Sequence, residues 1–166
     1  AYQAILDKYV GLTAQAGAKR PDIVVWPEGA LPTTANDVFG SNDIVQIANA
    51  LETGQVLMLG ISRADRSDTA EGGYAYFNSF LTMRDIGPEG LMVEGVYDKH
   101  HLVPFGEYLP LGSLMTQFGI RSLVHVPADF TPGPVPAPID LPGLPSVQPL
   151  ICYEALFPGY VPARGD

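Results

Sequence analysis

The chain has 166 residues, 46% of them hydrophobic and 16% charged, with a net charge of −9. That is long enough for one domain with a core, too apolar for a disordered chain and too poor in charge for a coiled coil. Its nine Lys and Arg are scattered, which argues against nucleic-acid binding and against electrostatic attraction to anionic lipid, and no apolar run reaches the ~18 residues of a membrane span.

Residues 2–19 read as an amphipathic helix, with Tyr2, Ile5, Leu6, Tyr9 and Val10 on one face, Lys19-Arg20 in the last turn and Pro21 as the stop. Asp22–Trp26 (DIVVW) reads as a strand buried on both faces and ended by Pro27. Ser41 is placed to cap a second helix whose stripe is Ile44, Ile47, Ala48 and Leu51, with Thr53-Gly54 as its stop. Gln55–Ser62 is the next strand, and Tyr74–Met83 and Leu91–Tyr97 form a hairpin across a turn at residues 85–90. A long loop follows from Asp98 to about Gly112. Residues 127–145 hold seven prolines and read as an extended surface connection within one domain, because Val147–Cys152 (VQPLIC) looks like a further strand of the same sheet. This order of elements predicts an α/β sheet covered by helices. The chain opens without Met, without a strand before its first helix and without a signal sequence, so it reads as a piece of a longer protein.

Three polar residues stand at three predicted strand ends: Glu28 after DIVVW, Lys99 after LMVEGVY and Cys152 at the end of VQPLIC. Sites in open α/β sheets form beyond the carboxyl ends of strands. A thiolate is a nucleophile, a carboxylate can take its proton, and an ammonium can hold an oxyanion with its N–H donors. The proton transfer is uphill by about 5.7 kcal/mol from the ordinary values of Glu and Cys, near 4.3 and 8.5. Burial raises the first and a nearby ammonium lowers the second. Such a triad supports acyl transfer through a thioester and needs no metal or other cofactor. Taken singly, each residue has a plainer reading: Glu28 as a cap or loop charge, Lys99 as a solvated lysine, Cys152 as a small buried hydrophobe. His100 and His101 invite a metal site, but adjacent positions are expected to point to opposite sides and no second Cys exists.

Three stretches carry a resemblance. Trp26–Pro32 (WPEGALP), Tyr97–Pro110 (YDKHHLVPFGEYLP) and Ile151–Pro158 (ICYEALFP) resemble the three catalytic motifs of the nitrilase superfamily of carbon–nitrogen hydrolases, in particular its apolipoprotein N-acyltransferase branch. PFGEYLP after the lysine and Tyr153-Glu154 after the cysteine look like that branch. The resemblance implies a nitrilase-like αββα sandwich, here as a single partial domain over residues 1–166, lacking its first strand, its C-terminal part and the membrane helices. It implies Glu28 as general base, Lys99 as oxyanion stabiliser and Cys152 as acyl-carrying nucleophile. Glu107 would be a second active-site carboxylate, and Tyr153 and Glu154 would adjoin the thioester and shape the acceptor site.

The implied reaction moves an acyl chain from a phospholipid to Cys152 and on to the N-terminal amine of a diacylglyceryl-cysteine apolipoprotein. The implied setting is the bacterial inner membrane, with the catalytic domain on the extracytoplasmic side and the membrane reached through parts outside this chain. The apolar stretch Leu102–Leu114 would cover the site or simply pack on the domain, and the isolated 166 residues are expected to be inactive. Two rivals remain at this stage: a soluble amidase or nitrilase using the same triad with water as second nucleophile, and a non-enzymatic binding domain with the triad inert.

Overall fold

The computed structural model describes residues 2–15, 19–104, 106–108, 129–157 and 159. Four strands form one sheet in the order β1-β2-β3-β4: β1 (Ile23–Trp26), β2 (Val56–Arg66), β3 (Tyr74–Asp85) and β4 (Leu91–Asp98). β1 and β2 are parallel, and the next two pairs are antiparallel. β4 therefore runs in the same direction as β1. The carboxyl ends of both strands point to the same edge of the sheet, where Glu28 and Lys99 leave it.

Side chains alternate across the pleat with period two. One face of β2 presents Leu57, Leu59 and Ile61, which join Trp26, Leu81 and Met83 in a core closed by Leu6, Val38 and Ile47 of the helices. These helices are α1 (Tyr2–Ala14), α2 (Ala35–Phe39) and α3 (Asp43–Asn49). The other face presents Val56, Met58, Phe80 and Tyr97, covered by Leu141 and Ile151 from the later chain. Helices, sheet and a layer of extended chain make the α/β architecture expected from the sequence.

The differences in detail have local causes. α1 ends at Ala14, not Lys19, and Arg20 instead pairs with Glu52 at 2.8 Å. Trp26 seats the last turn of α1 on the sheet by donating Nε1–H to Thr13 Oγ1 at 2.9 Å. Leu6 is buried as expected, but Ile5 is exposed. DIVVW is not buried on both faces: β1 lies at the sheet edge and Val25 is 57% exposed. α2 was not expected; a capping box between Thr34 and Asp37 starts this five-residue helix. Ser41 Oγ accepts from the Asp43 N–H at 3.2 Å and donates to the Val38 carbonyl at 3.1 Å, joining α2 to α3. The predicted hairpin is present with a 3-10 turn at Gly87–Glu89, and β2 continues to Arg66 because β3 pairs with it throughout.

The strand predicted at Val147–Cys152 does not form. Pro149 has no N–H to give a ladder, and Val147 and Ile151 bury themselves against the sheet's second face instead of joining an edge. Val147 makes only an isolated bridge to Ile139, and Cys152 opens a 3-10 turn, Cys152–Leu156. The Pro-rich chain between them is irregular, as expected, but it is more than a surface connection, since Leu141 is buried. Most of the stretch Leu102–Leu114, and the chain after 159, lie outside the described residues.

Candidate active site

Glu28 reaches the site because the chain leaving β1 crosses over β2. Pro27 ends the strand, and a Cβ on Gly60 would overlap the Pro27 carbonyl and stand 2.7 Å from the Glu28 nitrogen. Only glycine leaves room for this crossing. The Ala30 N–H then donates to the Gly60 carbonyl at 3.1 Å, with Gly29 at φ 62° completing the turn. Asn78 of β3 sits opposite Ser62, two residues before Phe80 and on the same face. Lys99 follows β4, and its N–H continues the ladder by donating to the Asn78 carbonyl at 2.8 Å. Two residues beyond Tyr97, it shares that face as well.

The side chains close a compact ring. Lys99, only 1% exposed, places Nζ 2.9 Å from Glu107 Oε2 and 3.4 Å from Glu28 Oε1. Asn78 Nδ2 donates to Glu28 Oε1 at 2.6 Å and to Glu107 Oε1 at 2.8 Å. The Val103 N–H fixes the other Glu107 oxygen at 2.8 Å. Burial pulls the Lys99 pKa down. The hydrogen bond and charge of Glu107, with the charges of Glu28 and Cys152, outweigh it and hold the ammonium above its ordinary range. Lys99 is therefore a cation at neutral pH, suited to stabilise an anion and not to act as a base.

Cys152 comes to this group by a different device. Its side chain is exposed and its backbone adopts φ 56°, alone among the non-glycine residues described. Two residues on, Glu154 is fully buried. One of its oxygens accepts from the His100 and His101 N–H groups at 2.8 and 3.0 Å, the other from the Ile151 N–H and Tyr97 hydroxyl, both at 2.9 Å. A single carboxylate thus ties the turn bearing Cys152 to the backbone just after Lys99. Tyr153, between them, lays its ring 5.8 Å from Lys99 Nζ and donates its hydroxyl to the Leu102 carbonyl at 3.0 Å. Glu154, expected to adjoin the thioester, is enclosed by these four bonds and holds the turn.

Glu28, Lys99, Glu107 and Tyr153 are within contact of one another or of a shared neighbour, and Cys152 lies within electrostatic reach of Lys99. His100 and His101 do not point to opposite sides. They sit in a loop, where strand alternation does not apply, with their rings 5.6 Å apart on a cavity of about 310 Å³ shared with Leu102, Tyr108, Phe130 and Pro132. Asn78 was missed from sequence. Its signal was an amide in the otherwise apolar and aromatic run YAYFNSF.

A carbon–nitrogen hydrolase family model matches residues 2–163. The chain belongs to that family. Among individual proteins, it is 44% identical over 161 residues to an apolipoprotein N-acyltransferase of Caulobacter vibrioides, covering 95% of this chain and 30% of that protein. It is 41% identical over 160 residues to the apolipoprotein N-acyltransferase of Brucella suis, covering 94% and 29%. The chain thus spans less than a third of the length of these relatives. A solved glutamine-dependent NAD+ synthetase from Acinetobacter baumannii, in complex with ADP, superposes with a TM-score of 0.56 at 18% identity, over 96% of this chain and 26% of the other. That likeness establishes the shared fold. No helix among the described residues is long and apolar enough to cross a membrane.

Proposed function

We propose that this carbon–nitrogen hydrolase chain is the catalytic part of an N-acyltransferase that carries a fatty acyl group on Cys152, from a phospholipid to the α-amino group of a diacylglyceryl-cysteine apolipoprotein. The observation that carries the chemistry is the buried Lys99 ammonium held between two carboxylates, with an exposed cysteine in its electrostatic reach. The names of the relatives support the choice of acyl donor and acceptor. The same reading sets the chain in a longer inner-membrane enzyme, with this domain on the extracytoplasmic side.

In the first half-reaction Glu28 takes the thiol proton and the Cys152 sulfur attacks the ester carbonyl carbon of the phospholipid. The carbonyl oxygen becomes an oxyanion, stabilised by an Nζ–H of Lys99, whose other two N–H groups suffice for Glu28 and Glu107. Collapse breaks the acyl carbon–oxygen bond. The glycerol oxygen takes the proton back from Glu28 and leaves as lysophospholipid, and a thioester remains. In the second half-reaction the acceptor amine attacks the thioester carbon and loses a proton to Glu28. The carbon–sulfur bond breaks, an amide forms, and the proton returns to the sulfur. The two steps make a ping-pong cycle.

Glu107 and Asn78 act as positioning residues. Glu107 keeps Lys99 charged and in place, and Asn78 holds the two carboxylates at a fixed separation. The test is intact-protein and peptide mass spectrometry of the full-length gene product after incubation with phospholipid alone. An acyl mass increment on the peptide containing Cys152, discharged by a diacylglyceryl-cysteine peptide, is expected. Amide formation with no adduct on Cys152 would overturn the mechanism. Discharge by water at the same rate as by the lipopeptide would favour the hydrolase reading.

A further inference from the structure

Within the Pro-rich stretch, against the site, lies a short segment whose backbone bonds are concentrated on the site's own elements. The Phe130 N–H donates to the Glu107 carbonyl at 2.8 Å, the Thr131 N–H to the Tyr76 carbonyl at 2.7 Å, and the Gly133 N–H to the Lys99 carbonyl at 2.9 Å. Residue 132 is proline and has no N–H to give. Every donor of the segment therefore goes to a strand or loop that bears a site residue: Glu107 itself, β3 two residues before Asn78, and Lys99 itself. The Gly133 carbonyl also lies 2.7 Å from His100 Nδ1. A carbonyl only accepts, so His100 carries its proton on that nitrogen.

Gly133 is the point of closest approach. A Cβ there would overlap the Asp98 carbonyl oxygen and stand 2.7 Å from both the Asp98 carbonyl carbon and its Cβ. The obstacle is largely backbone, inside the last pair of the β3–β4 ladder, and it has no freedom to move aside. Any side chain at residue 133 must lift the segment off the residue before Lys99.

We propose that Phe130–Gly133 is a strap that sets the position of the Lys99 ammonium relative to Glu107 and Cys152, and that Gly133 is a positioning residue for acyl transfer. The inference rests on the acyl-thioester reading for its kinetic part. The strap braces from outside the three segments that carry Lys99, Glu107 and Asn78. The ring of side chains alone does not hold their backbones. Loss of the brace lets the loop bearing Lys99 and Glu107 shift by a fraction of an ångström to an ångström, and misplacement on that scale costs up to ~100-fold in rate.

The test uses Gly133→Ala in the full-length protein, alongside wild type and Lys99→Ala. Two quantities are read: the rate of Cys152 acylation by phospholipid, and the rate of Cys152 alkylation by a thiol reagent at one fixed pH, which needs no acyl donor. In Gly133→Ala the acylation rate is expected to fall ~10- to 100-fold. The alkylation rate is expected to change toward that of Lys99→Ala, because the ammonium no longer sits in register with the sulfur. A folded Gly133→Ala protein with the wild-type rates of both acylation and alkylation overturns the proposal. If the variant does not accumulate folded, His100→Ala and His100→Asn decide. The first removes the bond to the Gly133 carbonyl together with the ring beside His101 and should slow acylation; the second restores an N–H to that carbonyl without the ring and should recover it. Equal rates for wild type and His100→Ala likewise overturn the proposal. Failure of wild type to acylate Cys152 at all would instead sink the thioester reading, while the alkylation rates would still judge the strap.

Discussion

Replacing Glu154 by Gln exchanges one oxygen for an NH2 group, and the structure sets how much that should cost. Glu154 is wholly enclosed and accepts four hydrogen bonds, from Ile151, Tyr97, His100 and His101. The glutamine oxygen can keep the two bonds from His100 and His101. The Tyr97 hydroxyl can reverse and accept from the new NH2. The Ile151 N–H cannot reverse, so one donor faces another. One unsatisfied buried donor costs about 1–3 kcal/mol, and replacing a charged acceptor by a neutral one weakens the two retained bonds. A total of about 2–4 kcal/mol follows, equivalent to about 5–15 °C in melting temperature for a domain of this size. Glu154→Ala strands all four donors, about 4–12 kcal/mol, comparable with the whole stability of a typical domain. The assay is thermal unfolding of the full-length variants by circular dichroism, with the rate of Cys152 alkylation below the transition as a local probe. Glu154→Gln should fold and melt early, and Glu154→Ala should not accumulate as folded protein. A Glu154→Gln protein melting at the wild-type temperature would refute the claim that these four bonds hold the nucleophile's turn.

Further outcomes follow from the same network. Lys99 has a folded-state pKa above its ordinary 10.5, so its contribution to stability is fully present below the unfolded value and is lost as pH rises through the folded one. Urea midpoints of wild type should therefore fall above about pH 10.5, and Lys99→Met should show a smaller fall there while lacking acyl transfer at every pH. Asn78→Ala removes one bond to each of two carboxylates. At about 1.5–3 kcal/mol for a hydrogen bond to a charged group, it should slow Cys152 acylation ~10- to 100-fold, measured by single-turnover mass spectrometry. Gly60→Ala places a methyl group on the Pro27 carbonyl and should destabilise by about 1–3 kcal/mol as an overpacked site, with a loss of acylation that Gly11→Ala, where a Cβ meets nothing within 4 Å, does not share. Cys152 sits at φ 56°, where a β-carbon costs about 1–2 kcal/mol, so Cys152→Gly should melt higher than Cys152→Ala although both lack the thioester.

The sheet was legible because its signals were local. The continuous run QVLMLGIS and the hairpin about a Gly-Pro turn carry their own periodicity and punctuation. The short helix after Thr34 was not seen because five residues are too few to show a stripe, although the Thr34–Asp37 pair at i, i+3 is a capping signature. VQPLIC misled because apolar composition alone does not distinguish a strand in a ladder from extended chain pressed on a sheet's face; its Pro149 was the contrary sign. Gly60 inside an apolar strand was a readable mark of close backbone approach. Asn78 could be suspected as a buried amide, but its partners depend on the β2–β3 and β3–β4 registers, which place it opposite Ser62 and next to Lys99.

The expectation that three polar residues meet because they end three strands of one sheet holds for two of them. Glu28 and Lys99 leave strands of the same direction at the same edge of the sheet. Cys152 leaves no strand, and what brings it to them is a carboxylate two residues further along that reaches the backbone beside Lys99. The two halves of the site are therefore held by different physics. Lys99 balances Glu28 and Glu107 with a full positive charge. Glu154, equally buried, accepts instead from neutral donors, three backbone N–H groups and one hydroxyl. Removing Lys99 leaves two facing carboxylates and should change the chemistry and the charge of the site with the nucleophile's turn still in place. Weakening the Glu154 bonds, as Glu154→Gln does, should loosen that turn with the Lys99 ring intact. The separation of these two effects follows from where the charges are compensated.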